Sequence, residues 1–398
     1  MNQQKTPFQQ IDYTLIFLVF LLMCISFLAI YSGTTEQYVD YEEMGRDFFL
    51  KKQIVYYVIG FIVMVAIMTF DYELLKNFSI PFYVIGLLLL IYVEFNGIVQ
   101  NGSQRWMKLF GVGPAFQPSE FMKFFLIIAL AHMLYLLTTN RTDKSLKGDL
   151  VLLGKILAVG MPPFLLILKQ PDLGTALVIG SVIATMILVA GISWRLIFLC
   201  LLAVVGGIVT LVYLHNFHYE FFSSNLIKAH QLDRIYGWLN PDEYAGSFAY
   251  QTTQAILGIG AGQLFGSGFM NSVQAQSAAV PELHTDFIFA VIGEEFGFLG
   301  ATVLLVVFFL MFYRMVIIAL TCNNLFGTYL VSGIIGLLVF QVVQNIGMTV
   351  GLFPVTGLAL PFISYGGTAL VTNMIAIGIV LNVGMRTKNY MFQAEQQA

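Results

Sequence analysis

Pro281-Glu282-Leu283-His284-Thr285-Asp286-Phe287-Ile288-Phe289-Ala290 marks the point where a polar stretch, residues 216 to 285, gives way to an apolar run near 286 to 313. An apolar run of about 17 to 25 residues is the length a helix needs to cross a hydrocarbon core of roughly 30 Å. This boundary therefore predicts a membrane helix that starts at Asp286, with a large loop ahead of it. A carboxylate at such a boundary sits at a membrane surface, where a charge is usually retained for function.

The rest of the chain agrees. It has 398 residues, of which 58% are hydrophobic and 10% charged, with a mean hydropathy of +0.82; soluble domains carry about 25% charged residues. Apolar segments fall near 11 to 31, 53 to 70, 78 to 95, 119 to 138, 150 to 168, 173 to 190, 194 to 215, 286 to 313, 326 to 352 and 361 to 384. The expectation is an all-α integral membrane protein forming a single unit over 1–398. It has about ten transmembrane helices, and its large outer loop, 216–285, joins the seventh to the eighth. The first run is too long for a signal-peptide core and is read as the first helix. Cys24, Cys200 and Cys322 are widely separated and show neither disulfide nor metal spacing, so they are expected to be packing residues. A net charge of -3, with no basic stripe interleaved with aromatics, argues against nucleic acid as a partner.

Ten spans put both termini on one side. The short connections 139 to 149 and 385 to 390 are basic, which assigns them, and both termini, to the cytoplasm. The polar signatures then collect on the outer face: Arg105-Trp106, Gln117-Pro118-Ser119-Glu120, Gln170-Pro171-Asp172, the loop 216–285 and the turn-rich Pro354 to Gly367. A secondary transporter would instead gather polar groups on broken helices near the midplane.

Glu120 and Lys123 are three apart, on one face of the fourth span, where they can pair. Charges inside a bilayer are expensive and are normally retained for function. Lys123 is therefore a candidate cation for a phosphate-bearing ligand, with Glu120 holding it; a structural ion pair is the plain alternative. Arg105-Trp106, in a stretch broken by Gly111, Gly113, Pro114 and Pro118, suggests an interfacial or re-entrant segment. In the eighth span Asp286, Ala290, Gly293, Glu294 and Gly297 share a narrow face, expected to be close-packed or water-lined. Asp286 there could equally be an N-cap acid, and Glu294 or Glu295 a structural brace. In the loop, Ala249, Thr252, Thr253 and Ile256 suggest a helix along the membrane, and the run Gly258 to Gly268 a flexible surface segment. That glycine run lacks the Gly-Lys-Ser/Thr ending of a nucleotide-binding loop.

Taken together, Arg105-Trp106, Gln117 to Glu120, Gln170-Pro171-Asp172-Leu173-Gly174-Thr175, Pro281 to Ala290 and Pro361 to Gly367 resemble the SEDS (shape, elongation, division and sporulation) family over nearly the whole chain. Arg234-Ile235 with Leu239-Asn240-Pro241, Asn345 to Met348 and Thr372-Asn373-Met374 are more similar to its elongation branch than to its division branch. The resemblance implies a glycosyltransferase of the bacterial plasma membrane that polymerises lipid II into peptidoglycan strands. It would work with a class B penicillin-binding protein and other elongation proteins. It also implies that Asp286, at the end of the outer loop, is the catalytic residue, for which the role of general base is expected, with Arg105, Trp106, Glu120 and Lys123 bordering the same cavity. His284 and Glu282 are expected to position substrate, and Glu294 to contact it. No organic cofactor is expected; a divalent cation, Mg or Mn, could assist at the diphosphate. Gln276 to Val280 departs from the aromatic-containing sequence common in the family, which bears on acceptor contacts. A lipid II flippase would use the same cavity without a base, and a scaffold would only bind the penicillin-binding protein.

Overall fold

The computed structural model describes residues 10–34, 47–100, 103–107, 116–139, 141, 145–218, 229–241, 243, 248–273 and 283–394. Its helices are α1 (Tyr13–Gly33), α2 (Asp47–Thr69), α3 (Leu75–Asn96), α4 (Pro118–Thr138), α5 (Leu146–Lys169), α6 (Leu173–Val189), α7 (Trp194–Phe217), α8 (Ala229–Leu239), α9 (Phe248–Gly262), α10 (Ile288–Thr321), α11 (Leu325–Thr349) and α12 (Gly367–Ala394). Among the described residues nine helices are long and apolar enough to cross a membrane, and the 17-residue α6 is a shorter apolar helix. With α6, the expected ten spans are present.

Local chemistry explains where the helices begin. Asp12 accepts the Leu15 N–H at 3.1 Å, Ser145 Oγ that of Gly148 at 3.2 Å, Asp172 that of Thr175 at 3.1 Å and Asn324 that of Phe326 at 3.0 Å. Each cap satisfies a donor that the first turn leaves unpaired. Pro118 opens α4, where a missing N–H costs nothing.

α4, α11 and α12 are the most buried spans of the bundle. α12 packs on α2, α10 on α1 and α9, α11 on α4 and α6, and α3 on α4. Lipid tails are as apolar as leucine, so these contacts depend on close fit rather than on escape from water. At Gly378 of α12, a Cβ would stand 3.0 Å from the Met64 carbonyl of α2, so glycine lets those backbones approach. Large apolar side chains such as Phe17, Ile62, Val204 and Phe309 point outward. α7 buries none of its residues. In water such a surface would be a liability; facing hydrocarbon it is the expected one.

The structure departs from the sequence expectations in four places. First, Arg105-Trp106, read as an interfacial or re-entrant segment, takes the form of a two-stranded antiparallel hairpin within the otherwise helical fold, β1 (Ile98–Gln100) with β2 (Ser103–Trp106), and Met107 pairs with Phe116 beyond it. Second, the last span starts at Gly367 rather than near 361, while the turn-rich segment ahead of it, Leu352 to Gly366, is irregular as expected. Third, α10 runs to Thr321 but is broken at Gly297, whose φ of 63° and ψ of -162° only glycine adopts readily. Fourth, the surface segment with Gly262 and Gly266 is packed tightly on α10: a Cβ on Gly262 would fall 2.1 Å from the Gly293 carbonyl, and one on Gly266 2.0 Å from that of Glu295. The glycines are there because two backbones touch.

Gly297→Ala places a Cβ 2.4 Å from the Gly266 backbone nitrogen and forces an L-residue into a glycine conformation. Such strain costs about 1–3 kcal/mol before any overlap is counted. We expect a lowered thermal midpoint for the detergent-purified variant.

Candidate functional site

Asp172 organises one end of the bundle. Its Oδ1 caps α6, and its Oδ2 accepts from Thr175 Oγ1 at 2.9 Å and from Gln117 Nε2 at 2.9 Å. Arg105 Nη1 of the hairpin completes the set at 3.4 Å. A buried carboxylate held by this many donors fixes the guanidinium beside it. Arg105 keeps a partly exposed side chain.

Arg234 of α8 approaches the same point. Its Nη1 donates to the Val355 carbonyl at 3.4 Å in the irregular segment before α12. The guanidinium is held below its usual range, chiefly by burial and next by the like charge of Arg105, while Asp286 and Asp172 pull the other way. Two arginines and two aspartates from four distant parts of the chain thus share one electrostatic neighbourhood.

Asp286 lies in the turn that leads into α10, partly exposed. Phe287, and not Asp286, occupies the N-cap position. The Asp286 backbone carbonyl accepts Asn345 Nδ2 at 2.8 Å, and the same nitrogen reaches the Leu358 carbonyl at 2.7 Å. Asn345 therefore ties the Asp286 turn to the irregular segment. The carboxylate passes over Gly357, where a Cβ would stand 3.4 Å from Oδ2. His284 is buried beside the Phe49 and Tyr365 rings, 4.5 and 5.7 Å between centroids, and its carbonyl accepts the Tyr365 N–H at 3.0 Å. It shapes the turn before Asp286.

Lys123 is 1% exposed, and its ammonium meets both Glu120 oxygens at 2.8 Å. By helical rise it lies roughly 9 Å along α4 from Gln117. Trp106 ends β2, half-buried. The expectation that Glu294 contacts substrate requires correction: its side chain is 2% exposed, and its carboxylate accepts Ser272 Oγ at 2.5 Å and the Val273 N–H at 2.7 Å. Both oxygens are committed within the protein. Glu282, Lys108 and Gln276 to Val280 lie outside the described residues.

Three contributors were not singled out as site residues. Asp172, Arg234 and Asn345 lie within segments that resemble the family but carry no site signal by themselves, since Arg105, Val355 and Asp286, which they meet across the fold, are more than fifty residues away. Among the described residues no three His, Cys, Asp or Glu side chains gather as a metal site. The acids here are interleaved with arginines, and Asp172 is saturated by protein donors. A divalent cation would find Asp286 as its protein ligand, together with oxygens brought by a phosphate-bearing ligand.

The family model of the FtsW/RodA/SpoVE cell cycle proteins matches residues 13–389. Stage V sporulation protein E of Bacillus subtilis is 37% identical over 377 residues, covering 94% of this chain and 96% of the relative. The peptidoglycan glycosyltransferase MrdB of Escherichia coli is 31% identical, covering 95% of this chain and 94% of its own. The fold superposes with a TM-score of 0.77 at 29% identity on a chain of a peptidoglycan synthase complex described as coordinating polymerization and crosslinking, over 95% of this chain and 98% of that one. With a membrane bundle of ten apolar helices and matches that run almost from end to end, the chain belongs to the FtsW/RodA/SpoVE family, the SEDS proteins.

Proposed function

We propose that the protein is a peptidoglycan glycosyltransferase that polymerises lipid II into glycan strands. The observation that carries this reading is Asp286, a partly exposed carboxylate on a turn secured by Asn345, within the field of Arg234, Arg105 and Asp172. Relatives named peptidoglycan glycosyltransferases support it.

The chemistry follows from the groups present. The lipid II donor carries a diphosphate on its anomeric carbon, already a good leaving group, so no acid is needed to protonate the departing oxygen, in contrast with glycosidases. One base suffices. Asp286 accepts the proton of the attacking sugar hydroxyl as the new C–O bond forms and the bond to diphosphate breaks. Arg105 and Arg234 face the charge that collects on the diphosphate, already oriented by Asp172 and the Val355 carbonyl. Direct displacement inverts the anomeric centre. A divalent cation would serve as a second counter-charge on the diphosphate.

The chain is a multi-pass membrane protein, so a lipid-linked donor can reach its site from the bilayer. We assign the site to the extracytoplasmic side of the bacterial plasma membrane, with both termini in the cytoplasm, from the basic connections 139–149 and 385–390. A class B penicillin-binding protein is the proposed partner, supported by the similarity to a chain from a complex that couples polymerization and crosslinking. Cell-wall elongation and cell shape are the proposed setting. The higher identity to stage V sporulation protein E than to MrdB favours, as a second reading, the same chemistry in division or sporulation.

Purified protein incubated with lipid II, with and without its partner and divalent cation, tests the reaction. Asp286→Ala is expected to lose about 10²- to 10⁴-fold in polymer formation; equal polymer from variant and wild type would remove Asp286 from the mechanism. Asp172→Ala takes away a cap worth about 0.5–2 kcal/mol and releases Arg105. It should lower both the thermal midpoint and the rate, whereas Asp172→Asn, which still caps, should recover most of the stability but not the rate. Lys123→Ala strands the Glu120 carboxylate in the interior at a cost of about 3–5 kcal/mol. The Lys123→Met, Glu120→Gln double variant should restore folding. Polymerisation that stays low in that folded protein, with a raised half-saturating lipid II concentration, would assign Lys123 to donor binding; full activity would leave the pair a structural one.

A further inference from the structure

The break in α10 leaves backbone groups without helical partners, and one short segment takes them up. The Glu294 carbonyl accepts the Ser267 N–H at 2.9 Å and Ser267 Oγ at 3.1 Å, and the Glu295 carbonyl accepts the Gly268 N–H at 3.1 Å. On the far side of the break, the Phe298 and Leu299 N–H groups donate to the Gln263 and Leu264 carbonyls at 2.9 and 3.2 Å. The carboxylates extend the same contact. Glu294 binds Ser272 Oγ and the Val273 N–H, while Glu295 accepts from Ser32 Oγ of α1 and from the Met270 and Ser272 backbone. Residues 262–273 are thereby stitched into the gap at Gly297.

The first half of α10, Ile288 to Phe296, is about 13.5 Å long by helical rise. It bears Asp286 just ahead of its start and the stitched glutamates at its end. Past Gly297 the helix changes course, so the second half of α10 does not by itself set the direction of the first.

We propose that Glu294 is a positioning residue for the transfer reaction. It pins segment 262–273 into the break and thereby aims the half-helix that presents Asp286, without touching the substrate. This inference rests on the assignment of Asp286 as the base. A carboxylate suits the task because a hydroxyl and an amide N–H converge on it at low dielectric. Glutamine can do most of the same: its oxygen accepts from Val273, and its amide faces a hydroxyl that can rotate to accept.

The test compares Glu294→Ala, Glu294→Gln and Ser272→Ala in the full-length purified chain, with Asp286→Ala alongside, by following polymer formation against lipid II concentration. A misplaced base costs turnover, roughly ten- to a hundredfold for a displacement of an ångström or so. We expect Glu294→Ala to lose that much in maximal rate at an unchanged half-saturating concentration, Glu294→Gln to recover most of it, and Ser272→Ala to lose rate in the same sense. Should Glu294→Ala not fold, Glu294→Gln and Ser272→Ala decide alone. A raised half-saturating concentration, or Glu294→Gln as poor as alanine, would make Glu294 a substrate contact and overturn the proposal. So would Glu294→Ala or Ser272→Ala at the wild-type rate while Asp286→Ala is inactive. An active Asp286→Ala would remove the base assignment instead.

Discussion

Backbone amides buried away from water must be hydrogen-bonded, and this constraint governs the unusual parts of the molecule. Where a helix in the bundle is broken, at Gly297 of α10, a neighbouring segment supplies the missing partners: the Ser267 and Gly268 N–H groups and the Gln263 and Leu264 carbonyls. Where the chain is irregular, between Leu352 and Gly366, side chains do so. Tyr57 donates to the Phe362 carbonyl, Ser26 to that of Ile363 at 2.7 Å and Gln53 to that of Ser364 at 3.3 Å. The polar residues of α1 and α2 thus make an irregular loop affordable beside the site.

The site inherits its rigidity from these arrangements. Asp286 stands between two of them, the stitched half-helix behind it and the irregular segment tied to it through Asn345. Arg105 is set by Asp172, which is itself fixed as the cap of α6 and as the acceptor of Gln117 at the head of α4. Hairpin, helix ends and loop therefore converge on one small volume. Most of the carboxylates in the spans are consumed internally: Glu294 and Glu295 in the stitch, Glu120 on Lys123, Asp172 on Arg105. Asp286 stands partly exposed just ahead of α10.

Much of this was legible before the fold was known. Apolar run lengths located the ten apolar helices, most ends to within a few residues and the ends of α10 and α12 less closely, because the bilayer sets a length that composition alone must meet. The boundary at Asp286 and the Glu120, Lys123 pair were visible because charge next to or inside an apolar run is rare. The errors share one cause. Gly258 to Gly268 looked flexible because glycine signals both freedom and close approach, and only a partner backbone distinguishes the two. Glu294 looked like a ligand contact because its spacing puts it on the face of Asp286, yet Ser272 and Val273, distant in no obvious pattern, claim both its oxygens.

What the sequence by itself determined is therefore the class of molecule, its span count and the position of the boundary carboxylate Asp286, since each depends on local composition against a hydrocarbon slab. The tertiary structure alone decided which charges meet. Asp172, Arg105, Arg234 and Asp286 come from a helix cap, a hairpin, a loop helix and a turn. Their neighbours are set by how helices pack and by which side chains satisfy broken backbone, neither of which has a signature in any one stretch of sequence.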